Sequence, residues 1–428
     1  MALYQEMTKE QLSKLLVNLE AEYTSYKAKN LKLDMSRGKP GADQMDLSAD
    51  LLCAVPTSAE ARAADGTDCR NYGVLDGIPE AKALMAPLMD VGLDEVLVGG
   101  TSSLNLMFDC VARAMTHGVV GSLRPWCKEE GLKFLCPSPG YDRHFAVTQH
   151  FGFELISIPM TPQGPDMDLV EKLVASDEKI KGIWCVPKYS NPQGITYSDD
   201  TVRRLANLSP AAPDFRIFWD NAYSVHDLYP ENPDILLPLL PELKKNGKEN
   251  MAFLFCSTAK ITFAGEGLAA LGASKENLAQ IKASMAFQLI GHDKLNQLRH
   301  VRFLKDMDGI RAQMARHAEI IRPKFELVLS TLKKELGGTG LGSWIEPKGG
   351  YFIALDVMEG CAKHVVALCK EAGVVMTGAG ASSPYGVDPM DTTIRIAPTF
   401  PTLEELGQAA NLLCLCVKIA CVQKLLAA

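Results

Sequence analysis

Residues 95–115 read EVLVGGTSSLNLMFDCVARAM: a short apolar run, two glycines followed by three hydroxyl residues, then apolar side chains at helical spacing. A strand that ends in Gly99-Gly100-Thr101-Ser102-Ser103 and turns straight into a helix aims free backbone N–H groups and hydroxyls at one point, an arrangement suited to a phosphate. The same pattern recurs further along the chain. The runs LKFLCPSP (132–139), FELISIPM (153–160), KGIWCVPK (181–188), RIFWDN (216–221), MAFLFCST (251–258) and LAALGAS (268–274) are rich in β-formers and alternate with helical patterns. Such alternation implies an α/β fold, a largely parallel sheet covered by helices on both faces.

Beyond that region the pattern changes. Residues 277–336 are helical in periodicity and rich in Arg, Lys and His, as expected of a link between two domains. After Gly337-Gly338 come GGYFIALDV, a helix near 362–372, GVVMTGAG, TIRIAPTF and a terminal helix, which together read as a small α+β domain. At the other end, Thr8-Lys-Glu-Gln11 has the form of a capping box, and Leu12, Leu15, Leu16, Leu19, Tyr23 and Tyr26 follow at helical spacing. With 428 residues the chain exceeds one hydrophobic core. The expected organisation is a large domain over residues 46–309, with a mostly parallel sheet of seven strands, and a small α+β domain built from residues 1–45 plus 310–428.

Composition narrows the function classes. A net charge of −7 gives no general attraction to nucleic acid or anionic lipid. The N-terminal MALYQEMTKEQLSKLL lacks the basic, apolar and small-residue segments of a secretory signal. The apolar run NLLCLCVKIACV is short for a bilayer span and is interrupted by Lys418. Twelve cysteines in so long a chain, several inside apolar runs, fit buried thiols in a reducing compartment, and a soluble cytoplasmic protein is expected. No pair has zinc-site spacing, so no metal is expected.

The polar residues at the strand ends carry the chemistry, because open α/β sheets hold their ligands there. Asp220 closes the buried run RIFW and needs a cationic or hydrogen-bonding partner. Lys260 follows FLFCSTA. A lysine amine and a buried carboxylate are the pair pyridoxal 5′-phosphate (PLP) requires, the amine for a Schiff base and the carboxylate to hold the pyridine nitrogen protonated.

The order Asn71-Tyr72-Gly73, Gly-Gly-Thr101-Ser102-Ser103, Pro139-Gly140-Tyr141, Asn191-Pro192-Gln-Gly194, Asp220-Asn-Ala-Tyr223, Ser257-Thr-Ala-Lys260 and Ile394-Arg395-Ile396 resembles the fold-type-I PLP-dependent aminotransferases from end to end. Ser36-Arg-Gly38-Lys-Pro40, Lys260-Ile-Thr-Phe-Ala-Gly265, Leu295-Asn-Gln-Leu-Arg-His300 and Arg395-Ile-Ala-Pro-Thr399 resemble the type Ic aspartate aminotransferase subgroup. The resemblance implies roles. Lys260 joins the cofactor and moves the substrate proton, Asp220 pairs with the pyridine nitrogen, and Asn191 and Tyr223 bond the phenolic oxygen. Tyr141 stacks on the ring. Thr101, Ser102, Ser103 and Ser257 hold the phosphate, with Tyr72 reaching it from the second subunit of a homodimer. Arg395 clamps the substrate α-carboxylate, beside Gly38, Asn191 and Arg143. An acidic substrate also needs a second cation, for which Arg143, Arg37 and Lys39 are candidates. Many members of the superfamily carry an arginine eight residues after the lysine; this chain has Leu268. The implied reaction is transamination between aspartate or glutamate and a 2-oxo acid such as 2-oxoglutarate. A different-donor aminotransferase, a β-decarboxylase, a carbon–sulfur lyase and a PLP-binding regulator are the alternatives.

Overall fold

The structure, a computed structural model, describes residues 3–428. Its centre is a sheet whose strands lie in the order Val96–Val98, Ala269–Ala273, Ala252–Ser257, Arg216–Asp220, Ile180–Cys185, Lys133–Ser138, Glu154–Thr161 and Gly164–Pro165. All seven expected runs form strands. The eighth, Gly164–Pro165, corrects the count: it is a two-residue antiparallel return on Met160–Thr161. The five strands from Ala252–Ser257 across to Glu154–Thr161 are mutually parallel, and Ala269–Ala273 runs against both its neighbours.

Strand alternation sorts side chains into two cores. In Ala252–Ser257, Ala252, Leu254 and Cys256 join the core that includes Ile78, Val202 and Leu240. Phe253 and Phe255 point to the opposite face, against Leu106, Val111 and Met285. Period-two geometry sends successive side chains to opposite faces, so a strand covered on both sides must be apolar throughout.

A third core gathers Leu12, Leu19, Tyr23, Ile353, Leu355, Val365, Ile394 and most of the terminal helix Leu403–Ala427. Here the sheet is three-stranded and antiparallel, Gly342–Trp344, Ile353–Val357 and Thr393–Ile396, and Leu33–Asp34 pairs in parallel with Val374–Val375. The capping box at Thr8 forms as expected and starts the helix Lys9–Lys27. Of GVVMTGAG only two residues are strand; beyond them Thr377 turns inward to donate to the Ser36 carbonyl at 2.9 Å. The terminal helix also differs from expectation. It is long and apolar enough to cross a bilayer, but 67% of its apolar window is buried inside the protein, and Lys418 is paired with Glu335 at 2.6 Å. That is the composition of a core helix.

The helix Met307–Leu336 spans both halves: Ile310 and Met314 belong to the first core, Ile321, Phe325, Val328 and Leu332 to the third. It is the rigid beam between them.

Candidate active site

The parallel strands and Val96–Val98 all end at one edge of the sheet, and the polar signatures collect there. Gly99 N donates to Ala269 O (2.8 Å) and Ala269 N to Gly100 O (2.9 Å), while Ala269 is itself the register partner of Ser257. The glycine-hydroxyl turn and Ser257 are thereby brought side by side. Gly267 closes the group: a Cβ there would lie 2.9 Å from Thr101 O and from the Ala259 backbone, so the loop after Lys260 can pack this tightly only with glycine. Ser102 caps the helix Ser103–His117 without spending its hydroxyl on it. Among the described residues the side chains of Thr101, Ser102, Ser103 and Ser257 make no hydrogen bond, so a cluster of hydroxyl donors remains available at a helix start. Leu268 occupies the position where an arginine was missing; it is buried, and its N–H donates to Thr258 Oγ1 at 2.8 Å.

Asp220 is 3% exposed at the end of its strand. Its Oδ2 accepts from His144 Nε2 at 3.0 Å, and its Oδ1 has no partner among the described residues. A buried carboxylate oxygen without a donor is costly, which makes it a receptor for a cationic N–H. His144 is stacked on Trp184 (centroids 4.5 Å, 12°) and meets Tyr141 edge-on at 4.9 Å. Burial pushes the Tyr141 hydroxyl up to about 12, with the Asp220 charge adding to it.

The Lys260 amine lies 5.0 Å from the Tyr223 ring centroid and 5.9 Å from that of Tyr351. It has no hydrogen bond or ion pair among the described residues. Burial lowers its pKa, opposed by the Asp220 charge, so more of it is the neutral amine that acts as nucleophile and base. Tyr223 is buried, and burial raises its hydroxyl well above the usual tyrosine range.

Opposite stands Arg395. Its guanidinium contacts Asp142 Oδ1 (3.3 Å), Asn191 Oδ1 (3.4 Å) and Thr377 Oγ1 (3.3 Å) and lies 4.8 Å over the Phe352 ring. Gly38 sits on that ring so closely that a Cβ would be 2.1 Å from it. A guanidinium held by long, replaceable contacts against an aromatic face can receive a carboxylate.

Not every expected residue joins this cluster. Tyr72 is 83% exposed, on a loop whose Asn71 and Gly73 carbonyls are gripped by Lys294 Nζ at 2.7 and 2.8 Å. Arg143 is exposed and unpaired among the described residues. Arg37 leans on Asp34 at 3.8 Å, and Lys39 lies 4.0 Å over Phe400.

The sequence reading missed His144, Asp142, Thr377, Phe352 and Tyr351. Helical spacing held part of the signal. In the helix Asp142–His150, position 144 is buried with Phe145 while position 143 turns outward.

Comparison with known proteins places the chain in a family. A family model described as aspartate amino-transferase matches residues 7–428. The chain belongs to the aspartate aminotransferase family. A Corynebacterium glutamicum protein named aspartate aminotransferase is 44% identical over 419 residues, 98% of this chain and 96% of its own. A Mycolicibacterium smegmatis protein is 49% identical over 410 residues, 95% of each chain. The solved structure of an aspartate transaminase from Corynebacterium glutamicum superposes with a TM-score of 0.96 at 43% identity, covering 99% of both chains. The family architecture and this chain's large mixed sheet are thus the same fold.

Proposed function

We propose that this aminotransferase transfers the amino group of aspartate or glutamate to a 2-oxo acid, most plainly 2-oxoglutarate, using PLP. The carrying observation is the buried Asp220 carboxylate, one oxygen held by His144 and the other without a donor among the described residues, in the same cluster as a lysine amine whose pKa burial lowers. When bound, PLP supplies an aldehyde that captures the substrate amine and a protonated pyridine that accepts the electrons left at Cα. The residues present fit that group. Asp220 Oδ1 would accept from the pyridine N–H, with His144 holding the carboxylate in place. Asn191 and Tyr223 would serve the phenolic oxygen, and Tyr141 would pack on the ring. Thr101, Ser102, Ser103, Ser257 and the helix start behind them take the phosphate, with hydroxyls and backbone amides replacing the absent arginine at Leu268.

Lys260 would be the residue that tethers the cofactor and, as a free amine, the base that takes the proton from the substrate Cα. Arg395 binds the α-carboxylate, displacing its long contact to Asp142, while the lack of a side chain at Gly38 lets the main chain close on the Phe352 ring that backs the guanidinium. Arg143 is assigned to the distal carboxylate, with Arg37 and Lys39 as the other exposed cations of the rim.

The exposed Tyr72, on a loop anchored from both sides by Lys294, supports a homodimer in which it completes the neighbour's phosphate site. Twelve unpaired cysteines, ten of them buried, support the reducing cytoplasm as the compartment. The deciding experiment mixes the purified enzyme with a panel of amino acids and follows conversion of the lysine-bound cofactor band to the amine form. Aspartate and glutamate should convert it fastest; preference for alanine or an aromatic donor would overturn the substrate assignment.

A further inference from the structure

Behind Lys260 lies a chain of buried polar side chains that the reaction as described does not use. Gln44 and His317 are fully buried, and Tyr351 is 1% exposed. Gln44 Oε1 accepts from Gly41 N at 3.1 Å, and a backbone N–H can only donate, so the amide orientation is determined. Its Nε2 then donates twice, to Tyr351 Oη at 3.0 Å and to His317 Nδ1 at 3.1 Å. Nδ1 is thus the accepting nitrogen, and the ring proton must sit on Nε2, which faces the Ile261 carbonyl at 3.0 Å. Gln313 Nε2 adds a longer contact to the same carbonyl, 3.3 Å.

The two ends of this line are what matter. Ile261 is the residue after Lys260. Tyr351 precedes Phe352, the ring under Arg395, and lies two residues before the strand Ile353–Val357, in which Ala354 is the register partner of Arg395. The links come from separate elements: the short helix Ala42–Asp46, the beam Met307–Leu336 and the start of the small-domain sheet. Buried polar groups that satisfy one another in a single arrangement permit little slack, unlike apolar packing of the same volume.

We infer that Gln44 and His317 are positioning residues that hold the main chain at Lys260 in fixed register with the wall formed by Tyr351, Phe352 and Arg395, so that the amine meets the substrate Cα clamped by Arg395. The inference rests on the reading of Lys260 as the reacting amine. Burial, aided by Arg316 and opposed by the Ile261 carbonyl and Asp43, holds the His317 imidazole down to about 4, so the line keeps its neutral form across the working range.

The test uses the holoenzyme. Nitrogen-15 spectra of histidine-labelled protein at neutral pH should show His317 as the neutral Nε2–H tautomer; an Nδ1–H tautomer or a protonated ring overturns the inference. His317→Phe and Tyr351→Phe should each lower kcat for aspartate about tenfold with KM held within about twofold, and the double variant should be no worse than the worse single, because both cut one line. His317→Gln, which keeps a donor for the Ile261 carbonyl, should recover most of the rate. Multiplicative losses in the double variant, or a His317→Gln enzyme as poor as His317→Phe, overturn it. Should His317→Phe not fold, the tautomer and the Tyr351→Phe, His317→Gln pair still decide. Lys260→Ala is run alongside: turnover retained there would sink the role of Lys260 itself, whereas its loss together with unaffected His317 and Tyr351 variants would sink only the positioning line.

Discussion

The floor and the rim of this site are built on different terms. On the floor, Asp220, His144, Lys260 and Tyr223 are fixed by strand ends, ring stacking and burial within one chain. On the rim, Tyr72, Arg143 and Arg37 are exposed, and their contacts are few or long. Low dielectric makes each floor interaction strong and each unpaired atom costly, so the floor carries chemistry that the fold alone can organise. Rim groups stay solvated until a substrate or a second subunit covers them. They can therefore select a ligand without contributing to the stability of the chain.

If that division is right, floor variants should cost kcat, and variants of the rim cations that face the substrate should cost selectivity. Lys260→Ala is the extreme case: turnover should vanish while PLP still binds non-covalently, checked by single-turnover spectroscopy with aspartate. Asp220→Asn keeps the shape and removes the charge, so kcat should fall on the order of a thousandfold while KM changes little. A shifted KM with kcat intact would move Asp220 from the floor's chemistry to binding. Arg143→Ala should cost about a hundredfold in kcat/KM for aspartate and much less for alanine, whose side chain has nothing to pair. Equal losses on both substrates would return Arg143 to the surface and direct attention to Arg37 and Lys39.

The proposed completion of the site by a second copy has its own test. Tyr72→Ala and Lys260→Ala chains, each nearly inactive, should recover roughly a quarter of wild-type activity when unfolded and refolded together, since a mixed dimer has one intact site. No recovery would mean that Tyr72 does not serve its neighbour.

Acid should act on the buried frame behind the floor. The His300 ring, which lies against Thr262 Oγ1 and the Asn296 carbonyl, and His317 are buried, and their pKa values are lowered from 6.5 to about 4, chiefly by burial. Between those limits the unfolded chain binds protons that the folded chain refuses, so stability should fall as pH drops from about 6.5 toward 4, by on the order of 1–3 kcal/mol per histidine. Urea midpoints measured across that range should decline, and less steeply in His317→Gln; a flat profile would contradict it.

Much of this was legible in the amino-acid sequence. Seven strand runs, the capping box at Thr8 and the glycine-hydroxyl turn were readable because each is a local pattern whose period or turn chemistry is set within a few residues. Lys260, Asp220 and Arg395 could be nominated because family motifs keep their order along the chain. Tertiary structure alone decided the partners. That His144 rather than Arg143 turns to Asp220, that Asp142 and Thr377 hold Arg395, and that Gln44 reaches both His317 and Tyr351 depends on contacts between residues 18 to 307 positions apart, or on which face of a helix is buried. Periodicity specifies which side chains point inward; only the packing of separate elements determines what they meet there.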